Sequence, residues 1–372
     1  SVEKYFKQQV ESKYDNRKVI MGRTANLTKP VKGRGQCQAR DRCHRGCPFG
    51  AYFSTNASTM PAAYATGNLT VMPHSLVNKI LYNEKLQKAA GVEVIDTQTN
   101  IVTEYYARII FVNASTVGTT AILLNSISGR FPNGLGNDSD QLGRNLMDHH
   151  KGISASADVD GFEDMYHYGK RPVSIYVPRF RNLAKKDTDF LRGFHLGGGA
   201  YRGRRQFDGI GTELKAAMSE PGGWRMGMYA FGECLPYADN RITLDQNKKD
   251  KWGRPLLVID CEFKENEKAM NKDMAASAGE LLVTAGFRNV KVQNNMSFPG
   301  NANHEMGTAR MGDDRKTSVL NSFNQLHDVP NVFITDGACM TSGSCVNPSL
   351  TYMALTARAC DHAVREMKKQ NL

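Results

Sequence analysis

An α/β plus α+β fold is predicted by three features of the 372-residue sequence. A series of short β-branched runs between residues 69 and 112 ends in Ile109-Ile110-Phe111-Val112, the pattern of a strand buried on both faces. Residues 151–300 alternate short strands with Gly-rich turns around one long helical period, as in an antiparallel sheet flanked by helices. Residues 301–372 supply one clean buried strand and one clean helix. The length suits more than one domain, and these shifts divide it into residues 1–150, 151–300 and 301–372.

Taken in order, residues 69–72, 76–82, 91–96, 101–106 and 108–112 read as strands, and their short connections favour an antiparallel meander. Ala114-Ser115-Thr116-Val117-Gly118 reads as a strand-to-helix turn, followed by a short helix over 119–126. Residues 130–150 are loop-like, with Pro132-Asn133-Gly134 and Gly136-Asn137 as turn signals. Strands follow at 172–180, 227–235 and 256–263, then a helix over 266–285 with Met270, Met274, Ala278, Leu281 and Leu282 on one period. Residues 332–336 form a buried strand. Residues 349–368 form a helix led by Pro348 and closed by basic residues that suit its dipole.

Composition excludes several classes. Mean hydropathy is −0.47 and no apolar run approaches the ~18 residues of a membrane-spanning helix. Net charge is +11, and eight of those charges come from the first fifty residues, which hold 12 basic and 4 acidic side chains. Such a segment suits an anionic surface or an acidic protein neighbour, but aromatic residues are not interleaved with it as base stacking requires, so nucleic acid is not expected. Eight cysteines spread over 372 residues do not make a disulfide framework. Cys234, Cys261, Cys339, Cys345 and Cys360 read as small buried hydrophobes, whereas Cys37, Cys43 and Cys47 cluster. The start, Ser-Val-Glu-Lys-Tyr-Phe, is charged and amphipathic and is not a signal peptide. It lacks an initiator Met, which suggests numbering from inside a longer protein, and localisation is not legible.

The chemistry concentrates near the C-terminus. His304-Glu305-Met306-Gly307-Thr308-Ala309-Arg310-Met311-Gly312 is followed by Asp336-Gly337 at a strand end and Asn347-Pro348-Ser349 at a helix start. These supply an imidazole able to take a proton, an amide able to hold a substrate oxygen, and a helix N-terminus that favours negative charge. Pattern alone equally allows a structural histidine and an asparagine that merely caps its helix.

These three pieces in this order resemble the C-terminal signature of the glucose–methanol–choline (GMC) family of flavin-dependent oxidoreductases. The 43-residue spacing from His304 to Asn347 fits that family's active-site pair. Ser58-Thr59-Met60-Pro61-Ala62-Ala63, the 114–126 turn and helix, and Leu142-Gly143-Arg144-Asn145-Leu146-Met147-Asp148-His149 resemble further blocks of the family. The resemblance implies oxidation of an alcohol, with His304 taking the hydroxyl proton, Asn347 holding the oxygen, and hydride leaving to FAD. It also places Val77 at adenine, Ala114 at the strand–turn–helix, Asp336 and Gly337 by the ribityl–phosphate portion, and Pro348 and Thr351 at the ring.

The family's Gly-x-Gly-x-x-Gly turn is not found: Gln38, Arg202 and Leu214 stand where the third glycine belongs in the three near-matches. The expectation is therefore an incomplete FAD-binding domain, its βαβ unit missing, on a C-terminal portion of a longer flavoenzyme that binds FAD weakly or not at all by itself. Cys37, Cys43 and Cys47-Pro48, with Arg40, Arg42 and Arg45 between them, resemble the cysteine loop of the family's iron–sulfur-containing gluconate, fructose and glucose dehydrogenases. Gln38 replaces one cysteine of that pattern. A three-iron cluster, a zinc site including His44, and plain reduced or partly disulfide-bonded thiols are all compatible with this loop. Together these readings predict a dehydrogenase of a sugar or polyol hydroxyl that passes electrons to a protein or quinone acceptor. The alternative is a non-catalytic sugar- or partner-binding remnant.

Overall fold

The computed structural model describes residues 1–165, 174–205 and 207–372. In chain order the elements are α1 (Val2–Lys13), β1 (Ile20–Met21), α2 (Thr59–Tyr64), β2 (Ser75–Asn83), β3 (Lys88–Asp96), β4 (Val102–Tyr106), β5 (Ile110–Val112), α3 (Ser115–Asn125) and β6 (Ile153–Val159). There follow β7 (Ile175–Val177), β8 (Phe194–Arg204), α4 (Gly211–Ser219), β9 (Pro221–Gly232), β10 (Arg241–Lys249), β11 (Pro255–Asp260), α5 (Glu265–Thr284), β12 (Arg288–Asn294), β13 (Val332–Ile334) and α6 (Ser349–Lys368). Among the described residues no helix is long and apolar enough to cross a membrane.

These elements fall into two compact units that interleave along the chain. The first takes Ser1–Val71, Lys151–Phe231 and Met270–Met296, and the second takes Met72–His150, Gly232–Ala269 and Ser297–Leu372. The three consecutive segments expected from composition are thus redistributed, with the basic N-terminal residues joining the middle of the chain.

The first unit holds a six-stranded sheet in the order β1-β7-β8-β9-β6-β12. The β1/β7, β7/β8, β6/β9 and β6/β12 pairs are antiparallel, as the turn-rich sequence implied. The strand expected over 172–180 is observed at Ile175–Val177, and positions 172 and 173 lie outside the described residues. Helix α5 buries the predicted stripe, with Met270, Met274, Ala278, Leu281 and Leu282 all at 0% exposure. Burying each large side chain is worth about 1.5–3 kcal/mol, so this stripe fixes the helix rotation. The N-terminal helix α1 is anchored through Phe6, stacked on Phe287, while Tyr14 and Arg17 bond the Glu280 carboxylate on α5.

The second unit carries the β2-β3-β4 meander, the β10/β11 hairpin, the α3 and α6 helices and one parallel pair. Residues 69–72 are not a strand, because no neighbouring strand offers them a ladder. Strand β5 does not close the meander either. It pairs in parallel with β13, Ile110 opposite Val332 and Val112 opposite Ile334. Asn331 staples this pair to the meander: its Nδ2 donates to Ala89 O and Arg108 O, and its Oδ1 accepts from Ala89 N. Leu123, Phe131, Leu135, Leu320, Val332 and Ile334 pack together beneath. Helix α3 begins at Ser115, four residues before the expected start, with Ser115 itself left-handed at φ 66°. The Ala114 N–H is satisfied by Thr119 Oγ1 at 3.1 Å, so the turn and the helix overlap.

Candidate functional site

The second unit assembles the candidate site by backbone pairing. The loop after β13 runs beside the 304–312 segment: Gly307 N donates to Gly337 O at 3.0 Å, and Ala309 N to Ala338 O at 2.9 Å. From the other side, Met147 and Met306 exchange two N–H···O bonds of 2.9 Å. Helix α3 pins the same stretch through Thr116 Oγ1, which donates to Glu305 O at 2.6 Å, and through Thr120 Oγ1 to Thr308 Oγ1 at 2.8 Å. Gly307 lies at φ 89°, and a Cβ there would come 2.1 Å from Asn145 O, so only glycine allows this crossing.

Into this frame the chain delivers His304 and Asn347, 43 residues apart, with Asn347 Nδ2 3.1 Å from His304 Nε2. Asn347 does not cap its helix. Pro348 occupies the cap position, α6 starts at Ser349, and the carboxamide turns to the imidazole instead. Behind His304 stands His149, whose Nδ1 is 2.9 Å from His304 Nδ1 and whose Nε2 faces Gly343 O and Ser344 O at 3.1 and 2.9 Å. Asp148 organises the backbone around them. Its buried carboxylate accepts from His149 N at 2.8 Å and His304 N at 3.2 Å on one oxygen, and from Gly300 N at 2.8 Å and Ala302 N at 3.1 Å on the other. The 340s loop is tied down by Ser342 Oγ, which donates to Glu233 Oε1 at 2.5 Å. His149 and Asp148 are fully buried while Asn347 is exposed, so the pair opens outward from a rigid back wall.

The remaining positions suggested by sequence distribute as follows. Asp336 and Ala114 lie two residues past the ends of the paired strands β13 and β5, where Asn113 Oδ1 also accepts from Thr335. The Asp336 carboxylate accepts from Thr119 Oγ1 at 2.5 Å and Ala338 N at 2.9 Å, and burial raises its pKa despite these donors. Gly337 has no room for a side chain, since a Cβ would lie 2.4 Å from Glu305 O and from Thr116 Oγ1. Pro348 and Thr351 begin α6 next to Asn347. Val77 lies on β2 beside a bulge and packs on the core of this unit. A cavity of about 320 Å³ is lined by Val117, Met147, Asp148, Cys261, Gly300 and Glu305, among others.

Sequence reasoning missed the part played by His149 and Asp148. Their adjacency at the end of the 142–149 motif was the available signal, but the contact to His304 spans 155 residues. It also gave no reason to single out His150. That side chain is fully buried against Phe263, its ring nitrogens have no hydrogen-bond partner among the described residues, and burial lowers its pKa from 6.5 to about 3. It is therefore neutral when folded and protonates on unfolding. The sign follows: between pH 6.5 and about 3 the unfolded chain binds the extra proton, so stability is full above pH 6.5 and falls as pH drops. The slope is at most about 1.4 kcal/mol per pH unit. Urea unfolding at several pH values should show His150→Leu with a flatter acid limb than the wild type.

The cysteine loop belongs to the first unit. Cys37, Cys43 and Cys47 are free thiols lining a 230 Å³ cavity with Asn26, Arg40 and Arg42. Asn26 Nδ2 donates to Cys43 Sγ, and Ala39 N donates to Cys37 Sγ. The Tyr52 N–H draws the Cys47 pKa down, helped by other backbone donors and Arg40. Among the described residues no three His, Cys, Asp or Glu side chains are placed to hold a metal ion, so an iron–sulfur or zinc site at these thiols is not shown. Of the other five cysteines, Cys234, Cys339 and Cys345 are buried as expected, but Cys360 is exposed on α6.

A buried histidine stands behind a half-exposed histidine and an exposed asparagine on an α/β frame, a candidate site for proton transfer. The chain belongs to the GMC oxidoreductase family: that family's N-terminal model matches residues 13–151 and its C-terminal model residues 236–356. The first match overturns the expectation that the FAD-binding domain lacks its family unit, because the segment read as a remainder is matched by the N-terminal domain itself. The chain is 32% identical to a 2-methyl-1,2-propanediol dehydrogenase of Mycolicibacterium austroafricanum, over 92% of this chain and 62% of that protein. It is 26% identical to the fructose dehydrogenase large subunit of Gluconobacter japonicus, over 93% and 62% respectively. The chain thus spans about three fifths of the length of these relatives, at 62%. In fold it is similar to formate oxidase, with a TM-score of 0.57 at 16% identity over 81% of this chain and 62% of that one. Pyridoxine 4-oxidase from Mesorbium loti gives a TM-score of 0.53 at 18% identity, over 87% and 63%.

Proposed function

We propose that this protein takes part in the FAD-dependent oxidation of a sugar or polyol hydroxyl, with His304 as the base and Asn347 as the oxygen-holding group. The observation that carries this reading is the 3.1 Å approach of Asn347 Nδ2 to His304 Nε2. A hydroxyl oxygen approaching both nitrogens from the open side would take over their direct contact, giving its proton to His304 Nε2 and accepting a hydrogen bond from Asn347 Nδ2. An alcohol is a poor hydride donor until that proton leaves, so a base and an N–H donor meeting at one oxygen suit this chemistry.

Bound flavin would supply the hydride acceptor. The residues present fit such a group. Asp336 and Ala114 follow closely on two parallel strands, and the 320 Å³ cavity borders Asp148 and Glu305. Asp336 and Gly337 would lie along the ribityl–phosphate portion, Pro348 and Thr351 at the ring, and Val77 at the adenine. The start of α6 favours negative charge on the ring. The relatives named for a diol and for fructose support a polyhydroxylated substrate. Their naming as dehydrogenases supports a protein or quinone electron acceptor in place of oxygen.

The test is anaerobic bleaching of the flavin by a panel containing 2-methyl-1,2-propanediol, fructose and gluconate, followed by reoxidation with a quinone or with oxygen. Asn347→Ala should slow bleaching about 100-fold, the loss expected when one donor to a developing oxyanion is removed. Bleaching by none of the panel would overturn the substrate class. Unaltered bleaching in Asn347→Ala would remove the amide from the reaction.

A further inference from the structure

We propose that Cys43 and Cys47 form a dithiol–disulfide exchange site for small anionic disulfides, with Cys47 as the attacking sulfur and Cys43 as the resolving one. The site lies in the first unit and its chemistry is separate from the oxidation of an alcohol.

The loop gathers three thiols on one cavity of about 230 Å³, in a chain that carries only eight cysteines. Cys37, Cys43 and Cys47 are all unbridged and half-buried. The backbone turns sharply between the last two. Gly46 N donates to Cys43 O at 3.1 Å, and Gly46 lies at φ 88°, a left-handed conformation that favours glycine. Only three residues separate Cys43 from Cys47 across this turn, the shortest span in the cluster. Asn26 Nδ2 donates to Cys43 Sγ at 3.6 Å, a contact that suits the thiolate a resolving cysteine must become.

The rim selects the ligand by charge. Arg40, Arg42 and Arg45 line the cavity with their side chains exposed, and among the described residues none of the three forms an ion pair. Asp41 is the one carboxylate among the lining side chains. Such a rim concentrates small anions and favours thiolate over thiol. The N–H groups of Tyr52, Phe49 and Ala51 act on Cys47 in the same direction, and with Arg40 they draw its pKa below the ordinary thiol value. A disulfide that carries carboxylates would supply the counter-charges for the three guanidinium groups.

The exchange balances in two steps. The Cys47 thiolate attacks one sulfur of the small disulfide, whose S–S bond breaks, and the first small thiolate leaves and takes up a proton. The Cys43 thiolate then attacks the Cys47 sulfur of the mixed disulfide, and the second small thiolate leaves and is protonated in turn. Two protein thiols are oxidised to one disulfide, and the small disulfide is reduced to two thiols.

The probe is oxidised glutathione at neutral pH and low salt, with free thiols alkylated at intervals and disulfides mapped by peptide mass spectrometry. Cys360, exposed and remote in sequence on α6, is the internal control. The Cys43–Cys47 bond should form at least about 10-fold faster than Cys360 is thiolated, and added salt should erode that advantage. Cys43→Ser should stop at a mixed disulfide on Cys47. Replacing the rim by Arg40→Gln, Arg42→Gln and Arg45→Gln together should slow the reaction with oxidised glutathione and spare that with cystamine, a cationic disulfide. Thiolation of Cys360 at an equal rate, a bond that leaves out Cys47, or equal rim dependence for both reagents would overturn the proposal. Thiols kept from alkylation in the purified protein by a bound metal ion would overturn it as well. If a variant fails to fold, the wild-type map, its salt dependence and the comparison of the two reagents still decide.

Discussion

His304→Ala should lower the rate of anaerobic flavin bleaching by about 10²–10⁴-fold, the range that a positioned general base contributes. The protein should keep its fold and its bound flavin, because His304 is half exposed at its working edge while the 304–312 segment is held by backbone bonds. Gly307, Ala309 and Met311 each donate an N–H to the 337–339 carbonyls, and none of these bonds involves the imidazole. A stopped-flow comparison at saturating substrate therefore reports chemistry and not assembly. Retention of the wild-type rate would place the base elsewhere.

Asp148→Ala should have the largest effect on stability, at least about 3 kcal/mol by denaturant unfolding. The carboxylate accepts four backbone N–H bonds, from His149, Gly300, Ala302 and His304, and it is 2% exposed. Hydrogen bonds to a charged group are worth about 1.5–3 kcal/mol each, and removing the acceptor strands buried donors. Asp148→Asn is expected to recover only part of the loss, because one side of the amide presents N–H groups to backbone donors. An unchanged midpoint in both variants would show that these loops are held by other contacts.

Legibility in the sequence followed the range of the interaction. Helices α5 and α6 were readable because their periods are long and their ends carry ordinary signals. Met270, Met274 and Leu281 are buried as the spacing requires. The parallel pairing of β5 with β13 was not readable, since Val112 and Ile334 carry no local mark of each other. The early start of α3 was hidden by Ser115, whose left-handed backbone belongs to a turn although Thr119 already closes the helix over it. His304 and Asn347 were visible as a pair only through the family resemblance; from pattern alone each had an ordinary structural reading. His149 was visible as the last residue of a motif, yet its position behind His304 depends on the Met147–Met306 bridge, which no local rule anticipates. The cysteine loop shows the opposite case. Cys37, Cys43 and Cys47 have a suggestive spacing, but backbone and amide groups donate to the Cys37 and Cys43 sulfurs, and no metal ligand set is gathered among the described residues.

The account turns on where a substrate hydroxyl sits. A crystal structure of the flavin-loaded protein with a slowly oxidised polyol should place one hydroxyl oxygen within hydrogen-bond distance of both His304 Nε2 and Asn347 Nδ2, its carbon facing the ring. A polyol bound with every hydroxyl away from that edge, or a flavin ring that does not reach it, would contradict the account.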